Sequence, residues 1–217
     1  RKTCRYCDAP LGEAFLDLGL QPLANNLPRT DDAAKSEFHC PLAVVQCPQC
    51  HLVQLTHAVP AHLMFDEYLY VSSTTQTFRD HFAEYAGDVR GRLLKKSKPL
   101  AVDIGSNDGL LVSCYNKAGM RGIGVEPAKN LAADANRRGV TTLNRYFGEE
   151  TLREIVAKYG KADAISANNV FAHIDDIQSV VRNVRELLAE DGFFVIEFAY
   201  LVTMLEKMFF DMIYHEH

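Results

Sequence analysis

Four cysteines stand in two matching pairs, Cys4-Arg5-Tyr6-Cys7 and Cys47-Pro48-Gln49-Cys50. Two residues between thiolates suit one tight turn that presents both sulfurs to a single ion. Two such turns close a tetrahedral four-thiolate site, which zinc favours. Four thiolates overcompensate a divalent ion, and Arg1, Lys2, Arg5 and backbone N–H groups are at hand to offset the excess. A redox pair would open a helix after a strand, and neither pair is so placed. Disulfides need an oxidising compartment, of which the sequence shows no sign. Cys4, Cys7, Cys47 and Cys50 are therefore expected to hold structural zinc. Cys40 lacks a C-x-x-C partner, and Cys114 sits in a helical pattern as a small buried apolar residue. Two other groups are chemically able. One is Asp103-Ile104-Gly105-Ser106-Asn107-Asp108-Gly109, with Glu126 further on, and the other is Tyr214-His215-Glu216-His217.

These groups need elements to position them. Leu42–Gln46 and Leu52–Leu55 read as a hairpin whose turn carries Cys47 and Cys50, while the rest of residues 1–72 reads as irregular. So small a module lacks apolar mass, and a metal staple makes physical sense. Phe78, Phe82, Tyr85, Val89 and Leu93 form one face of a helix within residues 73–98, which ends in a solvated basic run. From residue 99 strands and helices alternate. Strands are expected at 100–104, 122–125, 140–143, 162–167 and 193–196, with helices at 108–117, 128–138, 149–158, about 177–188 and 201–209. The first of these helices is expected to be capped by Asp108. Such β-α repeats imply a parallel, doubly wound α/β sheet with right-handed crossovers.

Ligands of such sheets lie beyond the C-terminal ends of the strands. The loop after the first strand is not G-x-G-x-x-G. Asp103 and Asp108 would repel a diphosphate but favour an ammonium or sulfonium, Asn107 adds an amide, and Gly105 and Gly109 permit close backbone approach. Glu126 ends the second strand, where a carboxylate can accept both hydroxyls of a ribose. A nucleoside with a cationic tail satisfies all of these, and S-adenosylmethionine (SAM) is that molecule. The bland alternative is that the glycines only turn the chain and Asp108 only caps a helix.

Composition is ordinary for a soluble globular protein. The 217 residues are 47% hydrophobic and 24% charged, with a net charge of −5, a poor match to nucleic acid or an anionic membrane. No apolar run approaches a membrane span, and the polar start shows no secretory signal. The length suggests between one and two domains.

The loop from Asp103 to Gly109 with Glu126 resembles the first two motifs of class I SAM-dependent methyltransferases. Further stretches resemble one subfamily, the C-methyltransferases of nucleotide-linked 4-keto-deoxyhexoses. They are the two C-x-x-C pairs, Gly19-Leu20-Gln21-Pro22-Leu23-Ala24-Asn25, Leu52-Val53-Gln54-Leu55, Tyr68-Leu69-Tyr70-Val71-Ser72-Ser73, residues 167–176, and Ile213-Tyr214-His215-Glu216-His217. They run through essentially the whole chain in order. The resemblance implies a zinc-binding module over 1–72, a linking helix over 73–98 and a Rossmann-like SAM domain over 99–217, with a C-terminal domain to follow. The sheet lacks the last two strands of a complete class I sheet, and the chain stops abruptly on reactive side chains. The sequence is therefore expected to be truncated.

C-methylation needs a base, an enolate stabiliser and close positioning. By resemblance His217 is the base candidate, Glu216 orients an imidazole or touches the sugar, and Tyr214 and His173 bond the developing oxyanion. Tyr68 or Tyr70 lines the sugar pocket. Asn168 and Asn169 contact the methionine part or the sugar, as could Ser166. Ser73, with Ser72, binds the SAM carboxylate or simply forms a turn. Phe147 flanks adenine or belongs to the core. His215 is expected to face away from the site. The implied partner is a nucleotide sugar, with no nucleic acid or membrane, and a cytoplasmic monomer is expected. The competing readings are an RNA or protein methyltransferase with a zinc docking module, and a non-catalytic SAM-binding protein.

Overall fold

The computed structural model describes every residue except Asn25, Asn26, Arg29, Glu216 and His217. The chain divides into two compact units. One comprises Arg1–Met64, Ala172–Gln178 and Phe198–His217, and the other Phe65–Phe171 and Ser179–Glu197.

The first unit contains a three-stranded antiparallel sheet of β1 (Leu16–Pro22), β2 (His39–Gln46) and β3 (Val53–Leu55), in that spatial order. The expected β2–β3 hairpin is present, with Val44 opposite Leu55 and Gln46 opposite Val53. Strand β1 was not expected, because Gly19 and Pro22 punctuate its apolar residues and read as a turn. Gly19 instead takes a positive φ of 74° where the pairing with β2 shifts register. That is a bulge, which keeps Leu16 and Leu18 on the face packed against Leu42, Val44 and Leu55. Short helices α1 (Asp31–Lys35) and α2 (Ala61–Phe65) complete the N-terminal stretch.

The second unit holds a five-stranded, wholly parallel sheet. Its strands are β4 (Leu100–Ile104), β5 (Arg121–Val125), β6 (Thr142–Leu143), β7 (Ala162–Asn168) and β8 (Leu188–Glu197), ordered β6-β5-β4-β7-β8. Helices α3 (Gln76–Arg92), α4 (Leu110–Lys117), α5 (Lys129–Arg137), α6 (Glu149–Tyr159) and α7 (Ile177–Leu187) alternate with them in sequence, while the later α8 (Leu201–Glu206) belongs to the first unit. The order reverses at β4, so the ends of β4, β5 and β7 form the ligand-binding edge. Strand β4 is buried along its whole length, as a central parallel strand requires. Helix α3 starts at a cap in which the Thr75 hydroxyl accepts Phe78 N–H. Its face of Phe82, Ala86 and Val89, with Leu93 just beyond, packs on Leu111, Cys114 and Tyr115 of α4. The basic run after α3 is less solvated than expected. Arg90 donates to the carbonyls of Leu93 and Lys96, and Lys96 pairs with Asp163 at 2.6 Å and Asp191 at 2.5 Å.

Helix α4 departs from expectation at its start. Its cap is Gly109, at φ 79°, with no side-chain cap hydrogen bond, so Asp108 lies one residue too early to cap it. None of the described helices is long and apolar enough to cross a membrane.

Two glycines make opposite predictions. A Cβ on Gly124 of β5 would lie 2.4 Å from Ser106 Oγ and 2.9 Å from Ser106 Cβ. Gly124→Ala should destabilise by about 1–3 kcal/mol through overpacking. A Cβ on Gly87, exposed on α3, meets nothing within 4 Å. Gly87→Ala should stabilise by about 0.4–1 kcal/mol. Urea unfolding of the two variants measures both signs.

Candidate functional site

In the second unit the loop between β4 and α4 is tied to the end of β5. Gly105 and Ser106 donate N–H bonds to the Val125 carbonyl at 2.8 and 3.1 Å. Asn107, at φ 51°, donates its N–H to Glu126 Oε2 at 2.7 Å, and Ala128 N–H reaches Oε1 at 2.8 Å. Each Glu126 oxygen keeps a further lone pair, which fits a pair of vicinal hydroxyls. Burial nevertheless holds the Glu126 pKa above its ordinary value.

The three acids of this region have different surroundings. Asp103, the penultimate residue of β4, is 4% exposed and accepts Ser166 Oγ–H at 2.7 Å. Burial pushes its pKa up to about 7, against the lowering by Ser166, and the charge of Glu126 adds to the rise. Asp108 is buried too, but Arg138 donates to both its carbonyl and its carboxylate, and its Oδ1 is left without a hydrogen-bond partner. Asp103 and Glu126 are therefore the uncompensated acids, and a cationic ligand bearing hydroxyls fits them. Gly105 has a reason of its own to be glycine. A Cβ there would lie 2.4 Å from Val170 Cγ2.

The segment before α3 is clamped to this loop. The Asn107 amide accepts Ser72 N–H at 2.9 Å and donates to the Tyr70 carbonyl at 3.0 Å. Asn130 brackets Tyr68 in the same way, donating to its carbonyl at 2.8 Å and accepting its N–H at 3.3 Å. The Tyr68 ring stacks edge-on against those of Phe65 and Tyr70. Burial and the Asp108 charge push the Tyr70 hydroxyl pKa up. Ser73 sits in the short 3-10 turn Ser72–Thr74, its carbonyl accepting from Arg79.

A narrow cavity lined by Ser72, Phe82, Asp103, Gly105, Asn107 and Asn168, among others, brings together five of the residues expected from sequence. Beside it the Asn144 amide holds the Glu126 carbonyl at 3.0 Å, and Asn144, Arg145 and Tyr146 open a groove with residues 148–151. Phe147, expected either to flank adenine or to belong to the core, is not among the residues lining this groove, whereas Tyr146 is. Asn169, exposed at φ 54°, donates its N–H to the Glu197 carbonyl at 2.7 Å.

The first unit holds the cysteines. The Sγ atoms of Cys4, Cys7, Cys47 and Cys50 all lie within 4.8 Å of one another. Cys4–Cys50 and Cys7–Cys47 approach to 3.6 and 3.5 Å. Sulfurs ~2.3 Å from a tetrahedral zinc would be roughly 3.8 Å apart, so the ligand set fits zinc. Tyr6 N–H points at Cys4 Sγ and Cys50 N–H at Cys47 Sγ, the second shell that four thiolates need. The backbone N–H of Cys50 is the leading cause that draws the Cys47 thiol pKa down to about 6. Cys40 and Cys114 lie outside the cluster, and all six thiols are free of disulfides.

His173 also belongs to the first unit, in the turn Phe171–His173, as does Tyr214, which is 38% exposed. His215 is buried at 2% exposure with Nε2 3.0 Å from the Cys40 carbonyl. Glu216 and His217, the orienting and base candidates, lie outside the described residues.

The parallel sheet and its acidic, glycine-bearing loop define the class, a Rossmann-like domain of the methyltransferase type. A family profile described as "Methyltransferase domain" matches residues 77–217, and one described as "Putative zinc binding domain" matches residues 4–65. The chain belongs to the methyltransferase domain family. C-methyltransferase NovU of Streptomyces niveus is 38% identical over 214 residues, 99% of this chain and 51% of that protein. The chain thus spans about half the length of this curated relative. Among solved structures, the plantazolicin methyltransferase BpumL shares the fold. Its complex with a pentazolic desmethylPZN analog and SAH aligns at TM-score 0.52 and 13% identity, over 65% of this chain and 60% of that one. Its complex with the monoazolic analog and SAH aligns equally well, at TM-score 0.52.

Two predictions follow from the charges. The Asp103 carboxyl has an ordinary pKa of 3.8 and a buried one of about 7. The native state binds the extra proton across that window, so this group lowers stability as pH rises through it. Asp103→Asn removes the effect, and in thermal unfolding the variant should gain on the wild type between pH 5 and pH 8. A gap independent of pH would show that Asp103 is not protonated in the native state. Metal analysis should find one zinc ion per chain. Cys47→Ser should lower that content and the thermal stability of the first unit, whereas folded, metal-free wild type would refute the site.

Proposed function

We propose that this chain is part of a SAM-dependent C-methyltransferase acting on the carbon alpha to the ketone of a nucleotide-linked 4-keto-deoxysugar. What supports the reading most is one combination. The acid-and-glycine loop and the four-cysteine module occur in one chain, and the similarity to C-methyltransferase NovU extends over 99% of it. The net charge of −5 speaks against a nucleic-acid substrate. We further propose a cytoplasmic monomer.

On this reading Glu126 accepts the ribose hydroxyls and the groove at Asn144 and Tyr146 takes the base. Asp103 and Asn168 face the cationic end, with Asn107, Asp108, Gly105 and Gly109 shaping the loop, and Ser73 meets the donor's carboxylate. Bound SAM supplies an electrophilic methyl group. Tyr68, Tyr70 and Asn169 hold the sugar. The ketone acidifies the neighbouring C–H, and His217 removes that proton while Glu216 orients its ring. Tyr214 and His173 donate hydrogen bonds to the oxygen on which the charge collects. An imidazole with a pKa near ~6.5 is largely neutral at neutral pH and suits the base role.

The test uses the full-length protein, SAM and a 4-keto nucleotide sugar in deuterated water. Deuterium should enter the carbon beside the ketone, and His217→Asn should slow its entry by roughly a hundredfold or more. Entry undiminished by that change removes His217 as the base. A product methylated on oxygen or nitrogen would overturn the C-methylation itself.

A further inference from the structure

A C-x-x-C turn needs its two cysteines, and the residues between them are free to serve another purpose. Here Arg5, between Cys4 and Cys7, reaches the chain after β7. Its guanidinium donates from Nη1 to the Ile174 carbonyl at 2.9 Å and from Nη2 to the Ala172 carbonyl at 3.3 Å. Those carbonyls bracket His173. The rest of the turn adds to the hold. Gln178 Nε2 donates to the Tyr6 carbonyl at 3.1 Å, and Arg1 pairs with Asp175. The Arg5 backbone is fixed in turn, since its N–H donates at 3.0 Å to Oε1 of Gln54, which is 2% exposed.

The charge of Arg5 is not placed there for solvation. Burial lowers its pKa, and the nearby Asp175 carboxylate offsets part of that cost. A planar fork can hold two carbonyls in one geometry, whereas an ammonium is a point charge. Carbonyls fixed on either side of a residue fix its backbone, and with it the direction of its side chain. The turn that carries the fork is the one whose two thiols, Cys4 and Cys7, belong to the four-cysteine cluster.

We propose that Arg5 is a positioning residue for His173, so that the metal cluster sets the aim of this imidazole as well as stapling its own module. The proposal rests on the reading that gives His173 a role at the acceptor oxygen. No atoms are exchanged. The fork orders the loop, and His173 meets the acceptor without first being immobilised.

The experiment uses the full-length protein with Arg5→Gln and Arg5→Lys. Zinc content, amide exchange of residues 171–176, the His173 ring NMR signal (assigned by its loss in His173→Gln), kcat, and the KM values for SAM and for a 4-keto nucleotide sugar are measured. Both variants should keep their zinc. Exchange in the loop should rise about tenfold or more, the His173 signal should shift, and kcat should fall about tenfold to a hundredfold with the KM for SAM unchanged. Chelating zinc from the wild type should raise exchange in the same loop. Unchanged loop exchange and an unchanged His173 signal in zinc-loaded variants would overturn the proposal. So would exchange confined to residues 1–65 after chelation, a measurement that stands even if both variants fold poorly. Faster exchange and a shifted signal with unaltered kcat would support the clamp and remove instead the role assigned to His173.

Discussion

The second unit depends on how one buried carboxylate is satisfied. Glu126 is 6% exposed, and a charge so placed is costly unless it is bonded. Its bonds come from the N–H groups of Asn107 and Ala128, one in the loop after β4 and one at the start of α5. Two crossovers of the sheet are thereby locked to the same side chain. Asn107 passes the constraint on, because its amide holds Ser72 and Tyr70. The chain before α3 is thus set by an acid at the end of β5, far from it in sequence.

The same arrangement sets up the electrostatics of the loop. Asp103 and Glu126 are buried acids, the charge of Glu126 adds to the cost of ionising Asp103, and among the described residues neither has a basic partner, while Asp108 has Arg138. An acid without a counter-ion in low dielectric favours either a proton or a cationic guest. On the proposed reading the sulfonium and ammonium of SAM meet that need, and a diphosphate would be disfavoured on the same grounds.

The first unit is organised by sulfur instead of apolar mass. Cys4 and Cys47 are fully buried, with Ala9 the one other buried member of their cluster. Apart from this knuckle, the small sheet is covered on one face by its own leucines and valines and by Ile213. His215, two residues on, bonds the Cys40 carbonyl of β2. A small domain that gains little from burial needs such a staple, and the staple then fixes whatever its turns touch.

Much was decided locally. The period of Phe78, Phe82, Val89 and Leu93 specifies a helix by itself, and the uniform apolar run of Leu100–Ile104 specifies a buried strand. The spacing of Cys4, Cys7, Cys47 and Cys50 shows the metal ligands, because two-residue turns are local geometry. The acids and glycines at the strand ends were legible for the same reason. Strand β1 was not, because its glycine is tolerated only through pairing with β2, a partner distant in sequence. Nor could the sequence tell which of Asp103 and Asp108 is compensated, for that depends on where Arg138 of the next crossover falls. The amide of Asn107 read as a ligand contact, and only the fold shows it, like that of Asn130, holding backbone. Residue type and spacing determine what chemistry is available. Burial and the partners brought in from afar decide which groups carry charge and which are already bonded, because both are properties of the packed chain.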